Sequence, residues 1–454
     1  MAQSPVIIVG GGIAGLAAAI RIGQSGLPVI VLEARNRIGG RVFTQLDQKS
    51  GTPIELGAEF IHGLPQEIFK PLQNSSKTIT EVDGESWCAF DGQLSPCNFF
   101  SQVESILDSM DDSLPDESFL DFLERRFPNS SRDSKLEEAK NRAIGYVSGF
   151  NASDPALVGV HWLVAGMRAE EKNQGHRAFR SQNGYADLID IFQHEISRLN
   201  IKVRLGTIVE SITWKPGFVQ VNAHSEDGLT RFTAGKALIT LPISLLKLSQ
   251  KPGGISFTPS LPQQKIACLD SLEMGKVIRI VLRFRRRFWE SISANGSSVT
   301  EKNTLDEMSF LFSEDESFPT WWTEMPRKNP VITGWAPFRA AELSSGQNES
   351  DVVSRALKTL SQLLGVSMRD LEGWLDTAHL HDWQTDPFSR GAYSYGKVGA
   401  VEGQQILAQP IENTLFFAGE ATDTSGNNGT VHGAIASGHR AATEIIVASR
   451  QLQM

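Results

Sequence analysis

Cysteine is scarce in this chain: Cys88, Cys97 and Cys268 are the only three among 454 residues. The number is odd and no C-x-x-C occurs. Neither a disulfide framework nor a structural zinc site is expected, and a reducing compartment follows. Long apolar runs are missing too; no stretch approaches the ~20 residues of a spanning helix. The apolar run at 6–9 lies so close to Met1 that no secretory leader is expected. At the other end, 441–449 reads as one short helix with no membrane tail, and Gln451-Leu452-Gln453-Met454 is no peroxisomal address. The expectation is a cytoplasmic protein with no membrane partner. Positive charge is in deficit, with 43 Lys plus Arg against 52 Asp plus Glu and a net charge of −9. Phosphate contacts need a basic surface, so no nucleic-acid partner is expected. A mildly acidic field favours cationic small molecules instead. With 40% hydrophobic and 21% charged residues, global disorder and low complexity are excluded. At ~100–200 residues per domain the length predicts two or three domains.

What is present starts at once. Residues 6–9, VIIV, read as a buried parallel strand. GGGIAG follows at 10–15 and contains G-x-G-x-x-G at Gly10, Gly12 and Gly15, then an Ala-rich helix start at 16–20. A second buried strand, PVIVL at 28–32, ends at Glu33. Each piece has a physical task. Gly10 permits the tight turn, Gly12 lets backbone approach a pyrophosphate, and Gly15 lets helix and strand pack closely. The helix N-terminus presents N–H groups to phosphates. Glu33, ~20 residues on, accepts from ribose hydroxyls and would repel a 2′-phosphate.

After Glu33 the chain reads Ala34-Arg35-Asn36-Arg37-Ile38-Gly39-Gly40-Arg41. A flavin has a further ring system to cradle. Gly39-Gly40 would let backbone lie close to it, and Arg41 can neutralise the pyrophosphate. This stretch resembles the flavin-containing amine oxidase superfamily, which includes monoamine, polyamine and spermine oxidases, histone lysine demethylases and L-amino-acid oxidases. The resemblance extends from residue 6 to residue 440. Glu55-Leu56-Gly57-Ala58-Glu59-Phe60-Ile61-His62-Gly63 looks like the family's second flavin loop. It implies Gly57 and Ala58 near the ring edge, Glu59 and Phe60 beside the cofactor, and His62 pointing into the substrate cavity. Val209 would offer backbone hydrogen bonds to the adenine. The segment 383–395, from Trp383 to Tyr395, resembles the aromatic-wall strand, with Trp383 against the cofactor and Tyr393 against the substrate. LFFAGEAT at 415–422, with Gly419 and Glu420, looks like the strand and turn that return to the flavin. GTVHGA at 429–434 opens a last helix. Thr430, Val431 and Ala434 would face the pyrimidine side, where the helix dipole favours negative charge.

Two departures carry information. Ala392 stands where some monoamine oxidases carry a cysteine bonded to the flavin, so FAD should be held non-covalently. Thr430 stands where monoamine oxidases place the second tyrosine of an aromatic cage, which leaves Tyr393 as one wall and widens the space beside the flavin.

Elsewhere the chain is plainer. Val103, Ile106, Leu107 and Met110 recur at helical spacing and predict core packing. The acidic stretch 108–117 reads as a loop before another helix, and 128–133 as a Pro/Asn/Ser turn. Residues 184–188 open a helix. The segment 201–214 is extended, and 218–223 and 231–234 continue a meander that 237–242 closes as a buried strand. Residues 331–335 form a strand, and Val353, Ala356, Leu357, Leu360 and Leu364 describe an amphipathic helix ended by Gly365. His379 and His381 share a strand face, but two ligands without a third make a poor metal site, so no metal is expected.

The segment 272–284 alternates as a strand with Lys276 near its start. In the family this pattern carries a lysine that holds a water against flavin N5, and Lys276 is assigned that place. The implied reaction is hydride transfer from the carbon α to a neutral amine onto N5. Oxygen then becomes hydrogen peroxide, and the imine hydrolyses to a carbonyl compound. The expected fold is α/β: a discontinuous Rossmann-like FAD-binding domain (1–74, 181–262 and 384–454) with a mixed α+β substrate-binding domain (75–180 and 263–383). The expected function is oxidative deamination of a primary or secondary amine, polyamines included, with a small-molecule amine and O2 as partners. An L-amino-acid oxidase is the alternative; it needs a cationic clamp, for which Arg177 and Arg180 are candidates. A chromatin demethylase would call for docking domains or a long helical insertion, and little of the chain lies outside the oxidase core. The oligomeric state is left open.

Overall fold

A computed structural model describes residues 4–90, 92–128, 133–293 and 304–451. Its first sheet is parallel and five-stranded. The strands run in the spatial order Lys202–Arg204, Val29–Leu32, Val6–Val9, Lys236–Ile239 and Leu415–Phe417. Val6 pairs with Val29 on one side and Lys236 on the other. Val6–Val9 is buried throughout, as its unbroken apolar run requires in a sheet covered on both faces. The helix Ile13–Gln24 follows at once and packs against the sheet and the last helix, Val431–Gln451. The latter is one long helix, so the short helix expected at 441–449 is only its second half.

The second large sheet has seven strands, in the order Leu375–Asp382, Val277–Phe284, Val331–Pro337, Thr320–Thr323, Met308–Ser313, Glu85–Phe90 and Gln93–Pro96. Helix Glu349–Leu364 covers one face, where Ile278, Ile280 and Leu282 meet Val352, Ala356 and Leu360. Gly365 ends that helix at φ 65, the left-handed conformation that glycine permits. The other face turns Phe310, Trp322 and Trp335 towards a large cavity. Helices Phe99–Leu107, Ser134–Phe150 and Val160–Lys172 close that cavity from the opposite side. Helix Phe119–Arg126 follows the acidic loop, and Ala186–Arg198 the turn at Gly184, as the sequence predicts.

Several expectations are corrected. Lys236–Ile239 does not close the meander formed by Ile208–Lys215, Phe218–Ser225 and Gly228–Ala234; it is the fourth strand of the parallel sheet. The segment 272–284 is two strands, Leu272–Met274 and Val277–Phe284, in different sheets. Of 383–395, only the end is a strand, Ser394–Gly396. Trp383 to Ala392 is turn and loop, held in shape by Asp382 and Asp386 accepting backbone N–H groups. Val103, Leu107 and Met110 are not core alone, since they also line the cavity. Of the turn expected at 128–133, residues 129–132 lie outside the described residues, as do 452–454.

The thiol expectation is overturned as well. Cys88 and Cys97 form a disulfide across the hairpin of Glu85–Phe90 and Gln93–Pro96. Cys88 pairs with Ser95 in that ladder, which brings the two cysteines together at the sheet edge. The inference of a reducing compartment rested on unpaired thiols and loses that support. Cys268 is free and buried. Among the described residues, no helix is long and apolar enough to cross a membrane.

Alkylation of the denatured, unreduced protein is expected to label Cys268 alone, and after reduction all three cysteines, read as mass increments. Cys88→Ser with Cys97→Ser should cost about 2–3 kcal/mol at most, the loop-closure entropy of a short ring, read as a lower midpoint in denaturant.

Candidate active site

The parallel sheet ends at a cavity of about 1590 Å³. Small-ligand pockets usually hold ~300–1,000 Å³, so this one has room for a dinucleotide and a second molecule. Its floor is the first turn of the chain. Gly10 sits at φ 110, which a side chain rarely tolerates. A Cβ at Gly15 would lie 2.1 Å from the Gly10 carbonyl oxygen, so helix and strand touch only because residue 15 is glycine. Gly15 therefore stands behind the cavity wall, while Gly10 and Gly12 line it. A Cβ at Gly12 would meet nothing nearer than Gly40 Cα at 3.9 Å, leaving open backbone. Helix Ile13–Gln24 has no side-chain cap on its N-terminal N–H groups. Glu33 closes this end; its carboxylate accepts from Gly11 N at 2.7 Å and Arg35 N at 2.9 Å, with lone pairs to spare. These residues fit a dinucleotide, with pyrophosphate at the helix end and ribose beside Glu33.

Ala34, Gly39, Gly40, Gly57, Ala58 and Val209 line the same cavity. Val209 lies beside a register shift in its strand. Arg35 and Arg41 line it too, but both are committed to protein partners. Arg35 donates to Asp386 Oδ1 at 2.6 Å and lies near the Trp383 and Phe388 rings. Arg41 donates to Glu420 Oε1 and to the Ala392 carbonyl, each at 2.8 Å. Glu420 is buried and also accepts from Ser394 Oγ and Gly429 N, so it is a brace joining Arg41 to the last helix turn. Trp383 lines the cavity and donates from Nε1 to the Leu56 carbonyl at 2.9 Å. Gly419, Val431 and Ala434 complete this side.

The far side is aromatic. Phe60, His62, Phe150, Phe310, Trp322 and Trp335 line it, and neighbouring rings lie within 5.5–6.0 Å of one another. Desolvation lowers His62 to about 4, so its imidazole is neutral at physiological pH. Burial and His62 together hold His432, another lining residue, at about 4. Tyr393 donates from its hydroxyl to the Phe150 carbonyl at 2.7 Å, and burial raises its pKa above the ordinary value. Thr430 lines the cavity and caps the last helix as well: its hydroxyl accepts from Gly433 N at 3.0 Å and donates to the Asn427 carbonyl at 2.6 Å.

Lys276 is absent from this assembly. It forms an ion pair with Glu342 at 2.5 Å on the outer side of the sheet, about half exposed. The pleat explains the error. Side chains alternate along Val277–Phe284, so Val277 and Arg279 face the cavity while Ile278 and Ile280 face the helix-covered core. The break at Gly275 restarts the count, and the inward cation is Arg279. A count begun at Val277 would have found it.

Glu59 lines the cavity with its carboxylate already occupied. It takes Arg180 Nε at 2.6 Å, Trp322 Nε1 at 3.0 Å and a terminal nitrogen of Arg279. The two arginines lower its pKa against the effect of burial. Glu170 is different: it lines the cavity, no ion pair or hydrogen bond holds its carboxylate among the described residues, and desolvation raises it to about 7. No sequence signal marked it, because it sits on a helix in the least readable part of the chain. His379 and His381 each meet a carboxylate, Asp47 and Asp386, at 3.0 Å.

A flavoprotein oxidoreductase is the class that this fold and cavity define. Residues 13–77 and 100–446 match the flavin-containing amine oxidoreductase family, and the chain belongs to it. Its cofactor is FAD; Ala392 at the cavity wall offers no thiol for a covalent link. The chain is 29% identical to lysine-specific histone demethylase 2 of Homo sapiens over 97% of its own length and 53% of that protein. It is 27% identical to polyamine oxidase 2 of Arabidopsis thaliana over 97% of its length and 88% of that one. It spans 30–59% of the length of the first three demethylase relatives. A solved putrescine oxidase bound to putrescine shares the fold, with a TM-score of 0.78, 21% identity, and 98% and 99% of the two chains covered.

Glu33→Lys is expected to weaken FAD binding at least about tenfold, since it removes a charged acceptor worth ~1.5–3 kcal/mol, measured as flavin retained after dialysis. Lys276→Met should change flavin content and turnover by less than about twofold, as for other exposed pairs, measured by steady-state kinetics.

Proposed function

We propose that this protein oxidatively deaminates an amine carrying a second positive charge, a diamine or polyamine, at a primary or secondary nitrogen. The observation behind the substrate class is Glu170, a carboxylate that lines the cavity with no ion pair or hydrogen bond among the described residues. A distal ammonium would satisfy it, and aromatic faces nearby also favour cations. The chemistry FAD supplies when bound is acceptance of hydride from the carbon α to the amine and return of both electrons to O2, giving H2O2. The nitrogen lone pair forms the C=N bond as hydride leaves, so the reacting amine must be neutral. Desolvation in the dry chamber penalises a protonated amine as it does the imidazoles of His62 and His432, and the neutral His62 ring can accept an amine N–H. Tyr393, tied to Phe150, gives one fixed ring beside Thr430, whose small side chain leaves space for a secondary amine. Water then adds to the imine to give the carbonyl product.

An amino-acid substrate is disfavoured by the same wall. Arg177 is spent on Glu81 outside the cavity, and Arg180 on Glu59 and the carbonyls of Thr323 and Met325. Neither offers a free fork to a carboxylate. We assign 1–74, 181–262 and 384–454 to FAD and 75–180 with 263–383 to the substrate, a division supported by the sheets: the five-stranded parallel sheet falls in the first set and the seven-stranded sheet in the second.

The deciding experiment is peroxide release with diamines, polyamines, monoamines and L-amino acids; activity confined to amino acids or monoamines would overturn the proposal. Glu170→Gln should raise KM for a diamine about tenfold or more, by loss of a charged contact worth ~1.5–3 kcal/mol, and leave a monoamine of equal length nearly unchanged. Glu170 is ionised above about pH 7 and protonated below it. In wild type the KM for a diamine should therefore climb more steeply than that for a monoamine as pH falls through that value, and in Glu170→Gln this difference should vanish.

A further inference from the structure

The wall behind residues 57–60 holds more arginine than the flavin loop needs for packing. Arg279 is 4% exposed and Arg180 7%. Both point at one carboxylate, Glu59, which can balance only one of them. Arg180 is fully engaged, with its other nitrogens on the carbonyls of Met325 and Thr323 at 3.1 and 3.0 Å. Arg279 reaches further into the cavity wall. It donates to the Gly57 carbonyl at 2.8 Å, lies 5.4 Å from the Trp322 ring centroid, and leaves its buried Nε without a partner. Glu55 feels the Arg279 charge, but burial outweighs it and raises this carboxyl to about 7; Glu324, on the Arg180 side of Glu59, is pushed up by burial as well.

We propose that Arg279 is a positioning residue for the flavin: it fixes loop 57–60 through Gly57 and Glu59 and supplies a permanent positive charge at the cavity wall that favours the reduced, negatively charged cofactor. The inference rests on the amine-oxidase reading of this cavity. A buried excess guanidinium is costly unless a negative partner visits the site, and desolvation makes its field act at longer range than in water. Arginine suits the role because it stays charged at every working pH.

The test compares flavin-loaded wild type with Arg279→Met and Arg279→Lys. Methionine leaves a balanced Arg180–Glu59 pair, so the fold should persist. The readouts are the flavin midpoint potential and the affinity for sulfite, which adds to the oxidised ring and leaves negative charge on it. Arg279→Met should bind sulfite at least about tenfold more weakly, with a midpoint potential lower by about 30 mV, the two-electron equivalent of tenfold. Arg279→Lys should stay near wild type at neutral pH and lose sulfite affinity as its amine deprotonates. Wild-type potential and sulfite affinity in both variants, whatever happens to melting temperature, would overturn the inference and mark Arg279 as packing. If Arg279→Met purifies without flavin, Arg279→Lys decides: sulfite-binding pH profiles parallel to wild type overturn the proposal, and a steeper loss at high pH supports it. Wild type that binds no FAD at all would instead sink the reading on which the proposal rests.

Discussion

The structure depends on backbone contact at two glycines. Gly15 lets the first helix touch the first strand, and a Cβ at Gly438 would lie 2.4 Å from the Ala14 carbonyl oxygen, so the last helix touches the first one equally closely. Those contacts bring residues separated by most of the chain into one packed layer. The cavity exists because that layer carries the glycine turn on one edge and residues 419–434 on the other. A methyl group at either glycine would push the layer apart, and both rims of the dinucleotide site would move with it.

The charges follow a second constraint. Buried carboxylates here are paired almost without exception: Glu33 with backbone N–H groups, Glu59 with two arginines, Glu420 with Arg41 and Ser394. An unpaired charge in such surroundings is expensive, so pairing is the rule in protein interiors. Glu170 and Arg279 break it from opposite sides of one chamber. One lacks a cation and the other shares its anion. A cationic substrate end and an anionic cofactor end are the two partners such a chamber would complete.

Much of the flavin side was legible from residues alone. Gly10, Gly12, Glu33, Gly39 and Gly57 were readable because backbone contact demands glycine and ribose contact demands an acceptor, and these demands fall in one short, contiguous stretch. The substrate side was not. Glu170, Trp322 and Trp335 come from a helix and two strands far apart in the chain, and no local rule distinguishes them from surface acids or core aromatics. Lys276 shows how a local rule fails. The apolar alternation was real, but a break at Gly275 shifted its register by one strand start, and one residue of register exchanges the two faces of a sheet. The disulfide failed in a related way: Cys88 and Cys97 are close only because a hairpin folds between them, and spacing alone does not report a hairpin's register.

By itself the sequence determined the dinucleotide fingerprint, the flavin loops that resemble one family, the apolar strands of the parallel sheet, and the absence of a cysteine at residue 392. Each is a local steric or chemical demand, settled within a few residues of itself. Tertiary structure alone decided which cation faces the cavity, which acid lacks a partner, that Arg180 is unavailable to a substrate carboxylate, and that Thr430 is a helix cap as well as a cavity wall. These depend on strand register and on what lies across a chamber, and such pairings carry no signature along the chain because the groups that meet there are hundreds of residues apart.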